Sequence, residues 1–97
     1  MTAAPQALHL PRLAAAQPGH WVGVPGSALA VITLRHALAP QAQAGWLTCL
    51  SGEVVIDLPG GDWVRLQAGE AYSVPAGWRA TAGAAQPTLL LAREDPA

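Results

Sequence analysis

The chain has no lysine, no phenylalanine and a single cysteine, and only 11% of its 97 residues are charged. One cysteine, Cys49, excludes an internal disulfide framework. Its apolar neighbours Leu47 and Leu50 fit a core residue in a reducing, cytoplasmic setting. Five arginines against six carboxylates leave a formal net charge of −1. No stripe of phosphate-neutralising cations exists, so no nucleic-acid partner is expected. No apolar run approaches the ~20 residues of a membrane span, and no membrane partner is expected either. Met1 to Gln17 lacks the charged start and long apolar core of a secretion signal.

What is abundant is apolar surface. Hydrophobic residues make up 52% of the chain, and the charged share is well under the ~25% usual for soluble domains. That balance opposes disorder, which needs few apolar residues and high net charge. It also leaves too few charges to cover a lone small domain, so a homodimer is the expected state. The length allows one domain, residues 1–97, with an N-terminal arm over 1–19 and a core over 28–93.

Ten glycines and nine prolines are spread through the chain rather than pooled in a linker. Short apolar runs between regular turn residues are the pattern of an all-β sandwich or barrel. Ala7–Leu13 reads as an edge strand, because Pro11 in its middle opposes a helix. His20–Val24 is a second strand, and Ala28–Ala39, centred on Val31-Ile32-Thr33, is the longest. Pro40–Gly45 reads as a loop. Trp46–Leu50 follows, and Ser51-Gly52 turns it into Glu53–Leu58. Pro59-Gly60-Gly61-Asp62 is a hairpin signal with Trp63–Leu66 as the return strand. Ala68-Gly69-Glu70 leads into Ala71–Val74, Pro75-Ala76-Gly77 turns the chain again, and the last strand is Thr88–Arg93.

The run from Cys49 to Gly77 combines a strand, a Ser-Gly turn, a hairpin, Leu66-x-x-Gly69-Glu70 and Pro75-x-Gly77. Gly69 permits the positive φ of a tight turn, five residues follow, and Pro75 with Gly77 bends the chain back. This arrangement resembles the conserved core of the cupin superfamily, whose second motif is Gly, five residues, Pro, one residue, Gly, two residues, His. The resemblance implies a cupin-like (double-stranded β-helix, jelly-roll) antiparallel barrel. It also implies a metal site in that family, and here the sequence departs. The closing histidine position is Ala80. The family's glutamate position falls at Ala44 or Gly45, and Gln41-x-Gln43 stands where a His-x-His pair would stand. An amide is a poor transition-metal ligand, and His9, His20, His36 and Cys49 are not in ligand spacing with one another. The expectation is therefore no metal and no cofactor.

The candidate ligand pocket is the barrel mouth. Trp78 and Arg79 follow the Pro75-x-Gly77 turn, and Tyr72 alternates with its neighbours so as to face inward with Val74. Gln41 and Gln43 complete the set. His36 and Cys49 are further candidates, as an acid or base and a thiol, weighed against a solvated strand-end histidine and a buried core cysteine. No catalytic residue is assigned: the carboxylates form no acid–base pair, and neither a phosphate cradle nor a nucleophile elbow is present. The reading is a metal-free cupin-like domain that binds a small apolar or weakly polar molecule or regulates, without catalysis. The alternatives are a degenerate metal-dependent isomerase or oxygenase and a purely structural barrel.

Overall fold

The computed structural model describes residues 7–94. It contains helix α1 (Leu10–Ala15) and nine strands: β1 (Val22–Gly23), β2 (Leu29–Thr33), β3 (Ala37–Gln41), β4 (Gly45–Ser51), β5 (Glu53–Asp57), β6 (Trp63–Gln67), β7 (Ala71–Val74), β8 (Trp78–Ala82) and β9 (Thr88–Arg93). The strands form two antiparallel sheets, ordered β1-β2-β9-β4-β7 and β3-β8-β5-β6.

The pairing is nested. β1 and β2 pair locally, and β5 and β6 form the hairpin at the centre of the rest. Outside it β4 pairs with β7, then β3 with β8, then β2 with β9. The chain is thus a long double-stranded ribbon folded so that its successive pairs fall into alternate sheets. Side chains alternate along each strand, and one face of every strand turns between the sheets. Val54 and Ile56 of β5, Leu47 and Cys49 of β4, Leu89 and Leu91 of β9, Ile32 of β2 and Trp78 and Ala80 of β8 all fall on that face and are buried.

Three segments differ from the sequence reading. Ala7–Leu13 is not an edge strand: Leu10–Ala15 is helical, and Pro11 sits in the first turn. A first-turn N–H has no intrahelical partner, so proline costs nothing there. His9 caps the helix, its Nδ1 accepting from the Arg12 N–H at 3.1 Å. The helix lies against β2, where Ala14 and Val31 are fully buried.

Ala28–Ala39 is two strands rather than one. After Thr33 the chain leaves the first sheet at Leu34, whose N–H donates to the Pro87 carbonyl at 2.9 Å. It re-enters in the second sheet at Ala37, so Pro40 and Gln41 belong to β3 and not to a loop. Trp78–Ala82, to which the sequence reading gave no strand, is a strand whose residues alternate buried and open. Its alanines have little β-propensity, and the surrounding pairs with β3 and β5 define it.

Gly52 carries the crossing from β4 to β5. Its φ is +74°, and a Cβ there would lie 2.7 Å from the Gln86 carbonyl oxygen and 2.8 Å from the Pro87 Cα. Gly60, at φ +99° in the hairpin, faces open space. Gly60→Ala therefore carries the conformational cost alone, about 1–2 kcal/mol. Gly52→Ala adds a backbone clash and is expected to cost about 3 kcal/mol or more. Urea unfolding of the two variants measures the difference, and equal losses would show that the Gly52 crossing is loosely packed.

Candidate functional site

The Pro75-Ala76-Gly77 turn and the ends of β3, β4, β8 and β9 meet at one end of the sandwich, and most of the polar and aromatic groups between the sheets gather there. Gln41 is opposite Trp78 across the β3–β8 pair, and the Gly77 N–H donates to the Gln41 carbonyl at 2.6 Å. Trp78 is fully buried. Its Nε1–H donates to the Gln43 carbonyl oxygen at 2.9 Å, which satisfies the indole inside the core. Trp21, just before β1, packs edge-on against it, with ring centroids 6.3 Å apart and planes at 78°. The Trp21 Nε1–H donates to Gln41 Oε1 at 3.0 Å, and Gln41 Nε2–H donates to the Ala39 carbonyl at 2.7 Å. Gln43 Nε2–H reaches the Glu94 carbonyl at 3.3 Å.

These residues border a recess of about 180 Å³ lined by Trp21, Ala30, Gln41, Gln43, Leu91 and Arg93. Ala30 and Leu91 are cross-strand neighbours on the inner face of their sheet. Arg93 follows Leu91 by two residues and so shares that face. Opposite Arg93 on β4 is Gly45, where a Cβ would lie only 2.2 Å from the Ala92 carbonyl oxygen. No carboxylate side chain lines the recess, and Arg93 is its one formal charge.

Three of the seven sequence candidates come together here: Gln41, Gln43 and Trp78. Trp78, however, is a core residue that backs the recess. The other four lie elsewhere. Arg79 alternates with Trp78 and Ala80 and points out of the second sheet, opposite Asp57. It is not at the mouth. Tyr72 shares the inward side of β7 with Val74, but β7 is the edge of its sheet and the residue is 39% exposed. A hydroxyl at an open edge needs no internal partner. His36 is exposed in the crossing between β2 and β3, at the opposite end of β3 from Gln41.

Cys49 is buried, and its Sγ–H points to the carbonyls of Ser51 at 3.3 Å and Gly52 at 3.6 Å. Burial pushes its thiol above the ordinary range. The bond to the Ser51 backbone partly offsets this, and the charges of Glu70 and Glu53 add to it. The thiolate is thereby disfavoured, and a nucleophilic role with it.

Sequence reasoning missed Trp21 and Arg93. The alternation Leu89, Leu91, Arg93 already places Arg93 on the inner face, so that signal was present. Nothing local in the sequence joins Trp21 to Trp78, 57 residues on.

A larger hollow of about 500 Å³ lies on the outer side of the second sheet, between Ala37–Pro40 and Asp57, Arg79 and Thr81. It follows the irregular register of β3 between Leu38 and Gln41. Its walls are mostly alanine, proline and threonine on an outer face, with no aromatic ring and no converging amides. The smaller recess is the better candidate, because apolar floor and oriented polar groups coincide there. Among the described residues no three His, Cys, Asp or Glu side chains group as metal ligands would, and no helix is long and apolar enough to cross a membrane.

No protein-family model matches the chain, and no curated protein matches it. Among solved structures it is similar to the crystal structure of protein NMB1881 from Neisseria meningitidis. The two are 15% identical with a TM-score of 0.54, over 92% of this chain and 100% of that one. At that identity the likeness bears on the fold alone.

Proposed function

We propose that the protein is a metal-free, cupin-type jelly-roll domain that holds a small molecule at one end of the sandwich and performs no catalysis of its own. The single observation that carries the binding reading is the recess bordered by Trp21, Gln41, Gln43 and Arg93. The cupin reading is supported by the nested strand order, since a jelly roll is two Greek keys across eight strands. It is supported too by the turns at either end of β7, where Gly69 (φ +89°) and Gly77 (φ +93°) hold the positive φ that the motif spacing implies. Ala80, at the motif's histidine position, is buried among core side chains and offers no ligand atom. The Gln41 amide, at one of the other ligand positions, is engaged at both its oxygen and its nitrogen.

A purely structural role is the second reading, favoured by the packing of Trp78 into the space between the sheets. Thermal unfolding against a panel of small apolar and weakly polar compounds separates the two. A ligand at 100 times its Kd adds about 2.7 kcal/mol to stability. That is a Tm rise of roughly 10 °C or more for a domain this small. The rise should be lost in Trp21→Ala. No stabilisation by any compound would favour the structural reading.

The homodimer belongs to the same proposal, and a difference between the two outer faces supports a contact through the first sheet. The second sheet turns Glu53, Asp57, Arg65 and Arg79 outward, and Arg65 and Glu53 approach to 3.9 Å. The first sheet turns out Leu29, Trp46, Thr48, Leu90 and Ala92, with no charge among them; helix α1 covers this face at Val31, and Trp46, on the strand nearer the other edge, is 59% exposed. A charge-free sheet face with an exposed indole suits an isologous contact. Light scattering should give twice the 9.9 kDa chain mass at micromolar concentration. Trp46→Glu should bring it to the monomer mass. A monomeric wild type would contradict the dimer.

A further inference from the structure

The recess is bordered by an exposed arginine, Arg93, that has no acid partner among the described residues. Arg93 Nε–H donates to the Ala28 carbonyl at 3.0 Å, and its backbone N–H reaches the same oxygen at 3.3 Å. These bonds orient the guanidinium and, among the described residues, leave its two terminal nitrogens without a partner. Among the described residues the ion pair within 4.0 Å is Arg65–Glu53, and Arg93 takes part in none. The lining otherwise supplies the Trp21 ring, Ala30, Leu91 and two glutamines. Gln41 is spent on Trp21 and Ala39, and the Gln43 amide nitrogen is spent on backbone carbonyls. Gln43 Oε1 is left as an acceptor, and the guanidinium is the cationic donor of the lining.

We infer that the recess binds a small monocarboxylate with an apolar or aromatic body, held by Arg93 and packed on Trp21, Ala30 and Leu91. This rests on the binding reading given above and names its ligand class. The size fits: a cavity of about 150 Å³ accepts benzene in another protein, so 180 Å³ holds one ring or a short acyl chain. The charge fits as well. A guanidinium presents parallel N–H groups that match the two oxygens of a carboxylate. A phosphate dianion would need further donors, and the apolar floor would be left without a partner.

Nitrogen–proton NMR of the full chain tests the inference, with benzoate, its neutral isostere benzamide and inorganic phosphate as probes. Benzoate should shift the Trp21 indole and Gln43 amide signals and leave the Trp63 indole in place. Benzamide should bind roughly tenfold more weakly or worse, as loss of a charge-assisted hydrogen bond implies. Benzoate affinity should also fall with added salt, which needs no variant. Arg93→Gln should reduce benzoate to the benzamide level without altering benzamide. Equal binding of benzoate and benzamide, with no salt dependence, would overturn the carboxylate assignment and leave the binding reading standing. Phosphate binding more tightly than benzoate would overturn it also. Failure of all three probes to move the Trp21 or Gln43 signals would count against both.

Discussion

The indole of Trp78 decides where this sandwich is solid and where it is open. It is the largest fully buried side chain among the described residues, and its N–H is committed to the Gln43 carbonyl. That bond ties β8 to the connection between β3 and β4, while the ring occupies space that two facing sheets would otherwise leave empty. Interiors are close-packed, and a side chain of this size leaves little room beside it. Trp21 then meets its ring edge-on and reaches Gln41. The recess bounded by Trp21 is what remains of the inter-sheet space, displaced to the end of the sandwich. A structural contact in the core therefore sets the position, size and polarity of the candidate site.

The nested pairing explains how remote residues come to share that end. Apart from the short β1–β2 pair, only the β5–β6 hairpin is local, and each pair outside it brings together segments more distant in the chain. Gln41 meets Trp78, and Ala30 meets Leu91, only when the outer pairs are made. The site thus depends on the whole ribbon. The crossings between sheets need residues that tolerate close backbone approach, which is the part Gly52 plays beneath Gln86 and Pro87. The sheets also differ in their outward chemistry: the strands of the second turn out Glu53, Asp57, Arg65 and Arg79, and those of the first turn out no charged residue.

Much of the strand layout was legible because the period-2 alternation and the Gly/Pro punctuation coincide from Trp46 to Val74. The Pro59-Gly60-Gly61-Asp62 turn and the final strand were equally plain. The break between β2 and β3 was not, since no glycine or proline lies between Leu34 and Ala37 and the crossing is fixed by the Pro87 carbonyl. Pro11 misled because proline opposes a helix interior but suits its first turn. For the site, motif spacing brought Gln41, Gln43 and Trp78 into one region, but it could not tell a pocket wall from a core filler. Tyr72 faced the expected way, and edge position left it exposed. Trp21 and Arg93 come from the two extremes of the ribbon, and only long-range pairing unites them.

Hydrogen exchange at the four tryptophan indoles tests this account most directly. The Trp78 indole proton, buried and bonded to Gln43, should exchange only through global opening, at the rate of the slowest core amides. Those of Trp46 and Trp63, 59% and 65% exposed, should exchange at once. A Trp78 indole that exchanges as fast as that of Trp63 would mean that the space between the sheets is not filled as described, and the site built against it would fall with it.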